Sequence, residues 1–208
     1  MPHSKQNAEE ILAPHMDMLG KVFPTAWERW EQYGEAVPEL RLQTCPRSQA
    51  SLLSNFATYT AEELFADMAP EVVLTHQPGF LLMIFQSKLH IRLKKFRGAG
   101  SYLTSGIPTT QHDLFEMQQP TITGFPEASN CVHGYVLKAD NSYFRETTIR
   151  CSTGKRLHWT IEVPLLEKGE VIEHRPAQAL PAQDRDIVSP GLSSTIMDDR
   201  TEEGEVGG

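Results

Sequence analysis

The apolar residues of this chain change their spacing part-way along it, and that change fixes the order of its structural elements. Leu12, Met16, Leu19, Phe23, Trp27, Trp30 and Tyr33 recur every three or four positions, and Leu52, Leu53, Phe56, Leu64, Phe65 and Met68 repeat the pattern. Such spacing lines one face of an α-helix. From Val72 onward the apolar residues come in short runs or alternate with polar ones, which is the two-residue period of a strand. Helices first and strands afterwards, without long crossover helices between them, predict an α+β fold. Its N-terminal helices pack on a largely antiparallel sheet of about five to six strands.

Proline and glycine set the expected boundaries. Pro14 and Pro24 each lack an N–H and disfavour helical geometry in the residue before them, so the first helical region is predicted as short pieces closing at Gly34. The second runs from about Ser48 to Met68; Thr60-Ala-Glu-Glu63 has the pattern of a capping box, which leaves open one helix or two abutting ones. Val72-Val-Leu74 and Phe80 to Phe85 flank Gln77-Pro-Gly79 and read as a hairpin, and Gln111 to Gln119 reads as a short helix stopped by Pro120. Cys131 to Lys138, Tyr143 to Cys151 and Arg156 to Leu165 form a meander in which Leu157, Trp159, Ile161 and Val163 share a packed face. A two-residue turn at Asp140-Asn141 would place Cys131 opposite Arg150 and send Cys151 to the other side of the sheet.

The charge is uneven. After Leu166 there are ten acidic residues (Glu167, Glu170, Glu173, Asp184, Asp186, Asp198, Asp199, Glu202, Glu203, Glu205) and four basic ones (Lys168, Arg175, Arg185, Arg200), so this segment holds −6 of the formal −8. It has no aromatic residue and no sustained apolar period, and Pro176, Pro181 and Pro190 punctuate it. Residues 1–166 are therefore expected to form one domain and residues 167–208 a disordered acidic tail. The longest uninterrupted hydrophobic run, Phe80 to Phe85, is far short of the roughly 18 residues of a membrane span, and the N-terminus lacks a secretory pattern. Cys45, Cys131 and Cys151 make neither a disulfide framework nor a metal knuckle. A cytoplasmic protein with reduced thiols is expected.

Chemistry-bearing motifs are sparse. The sequence contains no Gly-x-Ser-x-Gly elbow, no phosphate-binding P-loop and no dinucleotide fingerprint. Its eight histidines show no metal-ligand spacing, so neither a metal nor a cofactor is expected. The sharpest feature is Lys88-Leu-His-Ile-Arg-Leu-Lys-Lys-Phe-Arg97, where alternation sets His90, Arg92 and Lys94 in a row at steps of roughly 6.6 Å. With Lys95 and Arg97 they form a candidate surface for an anion or a partner, since that step resembles the spacing of phosphates along a strand. The competing reading is an exposed edge strand kept soluble by positive charge. On the meander, Arg145, Glu146, Arg150, His158 and Glu162 could instead gather as a polar cluster.

These features favour a non-catalytic binding or regulatory protein that contacts a protein or nucleic-acid partner. The alternative is a metal-independent nuclease-type enzyme, in which His158 and Glu162 would be catalytic and converge with the basic row on a phosphate. The two readings differ in whether those side chains open into one cleft. Thr109 and Thr110 at the entry of the short helix, and Gly134 as the mark of either a bulge or a close approach by another side chain, are further notable positions.

Overall fold

A computed structural model describes residues 2–97, 104–105, 110–118 and 128–166. Helix α1 (Lys5–Leu12) is capped by Ser4, whose hydroxyl accepts a hydrogen bond from the Asn7 N–H at 3.2 Å. Pro14 then imposes a single 3₁₀ turn, Ala13–His15, before helix α2 (Met16–Ala36) begins. The second expected break is absent. Helix α2 runs through Pro24 because Val22, Phe23, Ala26, Trp27 and Trp30 are all buried around it, and that burial outweighs one missing backbone bond.

Gly34 does not end α2 either. The chain turns only at Val37, and Pro38 opens α3 (Pro38–Gln43). Gly34 makes room for Arg41: a Cβ there would lie 2.5 Å from Arg41 Cδ. The region after Cys45 is one helix, α4 (Pro46–Phe65), so the capping-box reading of Thr60 is corrected. Thr60 lies inside that helix and its hydroxyl accepts from Arg29 Nη1 at 2.9 Å, while Arg29 also pairs with Glu63. These bonds tie α4 to α2.

Seven strands among the described residues complete the chain: β1 (Val72–Gln77), β2 (Phe80–Phe85), β3 (Leu89–Arg97), the two-residue β4 (Thr104–Ser105), β5 (Ser129–Leu137), β6 (Phe144–Thr153) and β7 (Arg156–Val163). The sheet order is β1-β2-β3-β5-β6-β7, with β4 paired to β3. Neighbours are antiparallel except β3 and β5, which run parallel. The fold is thus α+β, with N-terminal helices on a mostly antiparallel sheet. One expectation fails here: β3 lies inside the sheet between β2 and β5, so it is no edge that positive charge must protect.

The β5–β6 register also departs from the sequence reading. Leu137 pairs with Phe144, but a bulge shifts the next pair to Val136 with Glu146. The extra residue sets Cys131 directly opposite Cys151 and moves Arg150 opposite Val132. Both cysteines are free and buried, and burial pushes the Cys131 thiol well up.

Helices α1, α2 and α4 cover one face of the sheet. Phe23 is central there, with ring centroids 4.7 Å from His133, 4.9 Å from Tyr135 and 5.9 Å from Phe144. Trp159 packs into the same layer, 7% exposed, and its indole N–H donates to the His3 carbonyl at 2.8 Å. A smaller apolar cluster of Leu82, Ile84, Phe96, Phe115, Val132 and Val136 lies on the opposite face, where helix α5 (Thr110–Glu116) contributes Phe115. No helix among the described residues is long and apolar enough to cross a membrane. The expected disordered tail, Thr109 and Pro120 fall outside the described residues.

Candidate anion site on the second sheet face

Strand alternation and register decide which side chains meet on the face away from α1, α2 and α4. In one row across the sheet Leu82 pairs with Arg92, Arg92 with Val132, Val132 with Arg150 and Arg150 with Thr160. In the next row Lys94 pairs with Gly134, Gly134 with Thr148 and Thr148 with Glu162. His90 and Asn130 form a third row. Since paired residues share a face, Arg92, Lys94, Thr148 and Arg150 surround Val132 and Gly134.

The basic row predicted from sequence is real as a row but is not an exposed one. His90 is 1% and Arg92 3% exposed, and Lys94 is half-buried. The reason is the interior position of β3 together with the cover from α5. Lys95 and Arg97 alternate away from this row, Lys95 half-buried and Arg97 exposed. Sequence periodicity shows which residues share a face, but not how many elements lie over it.

Helix α5 is fastened down by an unusual side-chain bridge. Gln118, in the left-handed region at φ 58°, accepts from the Asn130 N–H at 2.8 Å and donates to the carbonyls of Asn130 (2.7 Å) and Ser152 (2.8 Å). Asn130 in turn donates through Nδ2 to the Phe115 carbonyl at 3.0 Å, and its Oδ1 lies 3.2 Å from His90 Nδ1. Gly154 N–H donates to the Glu116 carbonyl at 3.1 Å. The result sets Phe115 and Glu116 over the row, with Glu116 bound to His112 at 3.1 Å.

The electrostatics follow from burial. Arg92 is stacked under Phe80, its guanidinium carbon 3.6 Å from the ring centroid and 5.1 Å from that of Phe115. Burial pulls its pKa down to about 10, partly offset by the charge of Glu116, so it remains a cation at neutral pH. Lys94 is lowered by burial and then by Arg92, and Arg150 by burial against the pull of Glu146 and Glu116. Burial also lowers His90, which keeps its imidazole neutral, while Asn130 opposes the shift. Among the described residues, Arg92 Nε and Nη1 and Thr148 Oγ1 are buried without a hydrogen-bond partner. Buried guanidinium nitrogens left unbonded carry a large desolvation cost.

Gly134 shapes the floor. A Cβ on it would lie 2.3 Å from Phe96 Cε2, so the missing side chain is the space that Phe96 fills. Arg150 lies over that ring at 5.7 Å.

The two residues of the enzymatic alternative are placed apart. Glu162 stands in the Lys94 row. His158 sits by the β6–β7 turn, its Nε2 2.8 Å from Thr153 Oγ1, beside a groove of about 470 Å³ lined by Pro2, Thr153, Arg156 and His158. Glu162 is not among the residues that line this groove. No group of three or more His, Cys, Asp or Glu side chains that could hold a metal comes together among the described residues.

Sequence reasoning reached Arg92, Lys94 and Arg150 but assigned Arg150 to a separate cluster, because the bulge that moves it beside Val132 has no signature in composition. Phe115 is legible only as an apolar residue of the short helix, and Glu116 and Gln118 carry no site signal in the sequence. Besides the helix itself, their trace is the i,i+4 spacing of His112 and Glu116, which pair at 3.1 Å. Comparison of the chain with family models, with curated proteins and with solved structures finds no match in any of the three.

Proposed function

We propose that this chain is a non-catalytic binding protein that holds a protein partner through an acidic group seated beside Arg92 on the second sheet face. The observation that carries the reading is the nearly buried guanidinium with two nitrogens lacking partners, its carbon 3.6 Å from the Phe80 ring centroid and 5.1 Å from that of Phe115. A carboxylate is the group that satisfies such donors, through charge-assisted hydrogen bonds. Burial favours a group that reaches in over a backbone laid along the strand. A nucleic-acid strand following β3 on this face would meet Lys94 but neither His90 nor Arg92.

Fluorescence anisotropy with a labelled acidic peptide and a labelled single-stranded DNA tests this directly. The peptide should bind, and Arg92→Gln should weaken it by about tenfold or more, the scale of a charge-assisted bond lost from a desolvated site. DNA binding that falls steeply between about 50 and about 200 mM salt and ignores Arg92→Gln would move the partner class to nucleic acid on Lys94, Lys95 and Arg97. Absence of any Arg92-dependent binding would end the proposal.

A further inference from the structure

We infer that Cys131 and Cys151 are a modification site, a buried dithiol that closes to a reversible disulfide between β5 and β6. The register carries this. The bulge in β6 sets the two cysteines directly opposite each other in an antiparallel ladder, and both are free. The Ser129 N–H donates to the Lys88 carbonyl at 2.8 Å, on the β3 side, and backbone alternation turns Cys131 the same way. Cys131 and Cys151 are therefore a non-hydrogen-bonded pair. Such pairs bring their Cα atoms to about 4.5 Å and have the closer Cβ atoms, a separation that a disulfide spans without moving the backbone.

A second observation lies just beyond the pair, where the β5–β6 ladder ends. Asn130 and Ser152 come next, and the Gln118 side chain fills the gap between them: it accepts from the Asn130 N–H and donates to both carbonyls. Gln118 Nε2 also lies 3.7 Å from Cys151 Sγ. One side chain thus holds the two strand ends together beside the thiols, and a disulfide would do the same covalently. Both sulfurs are fully buried, and burial first, then Cys151, keeps the Cys131 thiol protonated. The thiolate is the reactive form, so the bond closes only when the strand end opens, and Gln118 is the group that must release it.

The oxidant is a small peroxide. A thiolate of the pair attacks one oxygen of hydrogen peroxide, the O–O bond breaks, and the departing hydroxide takes a proton to become water. The second sulfur then attacks the sulfenic acid, forming the S–S bond and expelling the remaining oxygen as water. In total the two thiols lose two electrons and two protons, and one peroxide becomes two waters.

The test uses the full chain with Cys45→Ser, which removes the exposed third thiol. The reduced protein is incubated with hydrogen peroxide in native buffer, then unfolded in N-ethylmaleimide and examined by intact mass and peptide mapping. Both thiols should become unavailable to the alkylating agent, with the mass lower by two hydrogens, a mapped Cys131–Cys151 linkage and full recovery in dithiothreitol. Gln118→Asn tolerates the left-handed backbone at φ 58° but is one methylene shorter, so it loses the bridge and should quicken closure severalfold. Full alkylation of both cysteines, a sulfinic acid on either one in place of the linkage, or a linkage that forms only in urea would each overturn the dithiol. An unchanged rate in the Gln118→Asn chain would overturn the part given to Gln118.

Discussion

His133 is the residue whose surroundings most sharply constrain its behaviour. It is fully buried under α2 against Phe23, both ring nitrogens lack partners among the described residues, and burial lowers its pKa from 6.5 to about 3. In the folded chain it therefore stays neutral through most of the acid range. The unfolded chain takes up a proton below about pH 6.5, so stability is full above that value and falls with pH until about pH 3. By pH 5 the loss from this residue is about 2 kcal/mol, at about 1.4 kcal/mol per unit. Replacing His133 with Leu removes a group that needs to stay neutral and leaves no new polar atom. Urea unfolding should find the variant close to wild type at pH 7 and more stable by about that amount at pH 5. Equal acid sensitivity in the two proteins would show that His133 reaches solvent or a partner.

Among elements, β5 carries the most information, because its two faces serve different layers. Cys131, His133 and Tyr135 face the helices, and Val132, Gly134 and Val136 face the second side. Gly134→Ala should destabilise by about 1–3 kcal/mol, since the new methyl meets the Phe96 ring and strands pack too closely to absorb it. Phe96→Leu should recover part of that loss, and a double-mutant cycle from thermal unfolding measures the coupling. Additive effects would mean that Phe96 turns away from Gly134. Gly134 is also where the sequence was most legible, since a lone glycine between strand-forming residues is itself a signal of close approach. Alternation likewise revealed which residues of β3 share a face. It could not reveal that β3 is interior, because Leu-His-Ile-Arg-Leu-Lys reads as half-buried whether water or α5 lies beyond the polar side. Nor could turn composition foresee the bulge that pairs Cys131 with Cys151, since one extra residue changes every later partner. The helices were legible as faces but not as lengths: Pro24 weighs less than the core it sits in.

On the scale of the whole molecule, the last described residues after β7 rest on α2. A Cβ on Gly20 would lie 2.5 Å from the Pro164 carbonyl oxygen and 3.2 Å from Leu166 Cγ, so the segment after β7 closes directly onto the helix layer. A chain ending at Leu166 should keep its thermal midpoint within about 5 °C, because residues 167–208 include too few apolar side chains to offset about 1–2 kcal/mol of ordering cost per residue. Calorimetry on the two lengths checks this, and a larger drop would mean that residues 167–208 dock on the body. Moving the end back to Val163 should cost more, since Leu165 packs on the core.

The parallel joint between β3 and β5 has a consequence for how the chain reaches this state. The β1-β2-β3 and β5-β6-β7 meanders each consist of neighbours in sequence and can form by fast local closure. His90 and Asn130 at the joint are 40 residues apart, so their meeting carries the entropy of a long loop and its reward comes only once both strands are in place. That step is the expected bottleneck. Conservative truncations at the joint, such as Ile91→Val, should slow refolding, while Val72→Ala on the outer strand should mainly quicken unfolding in stopped-flow denaturant jumps. The row that sets Arg92 and Arg150 on either side of Val132 therefore exists only once the two meanders have joined.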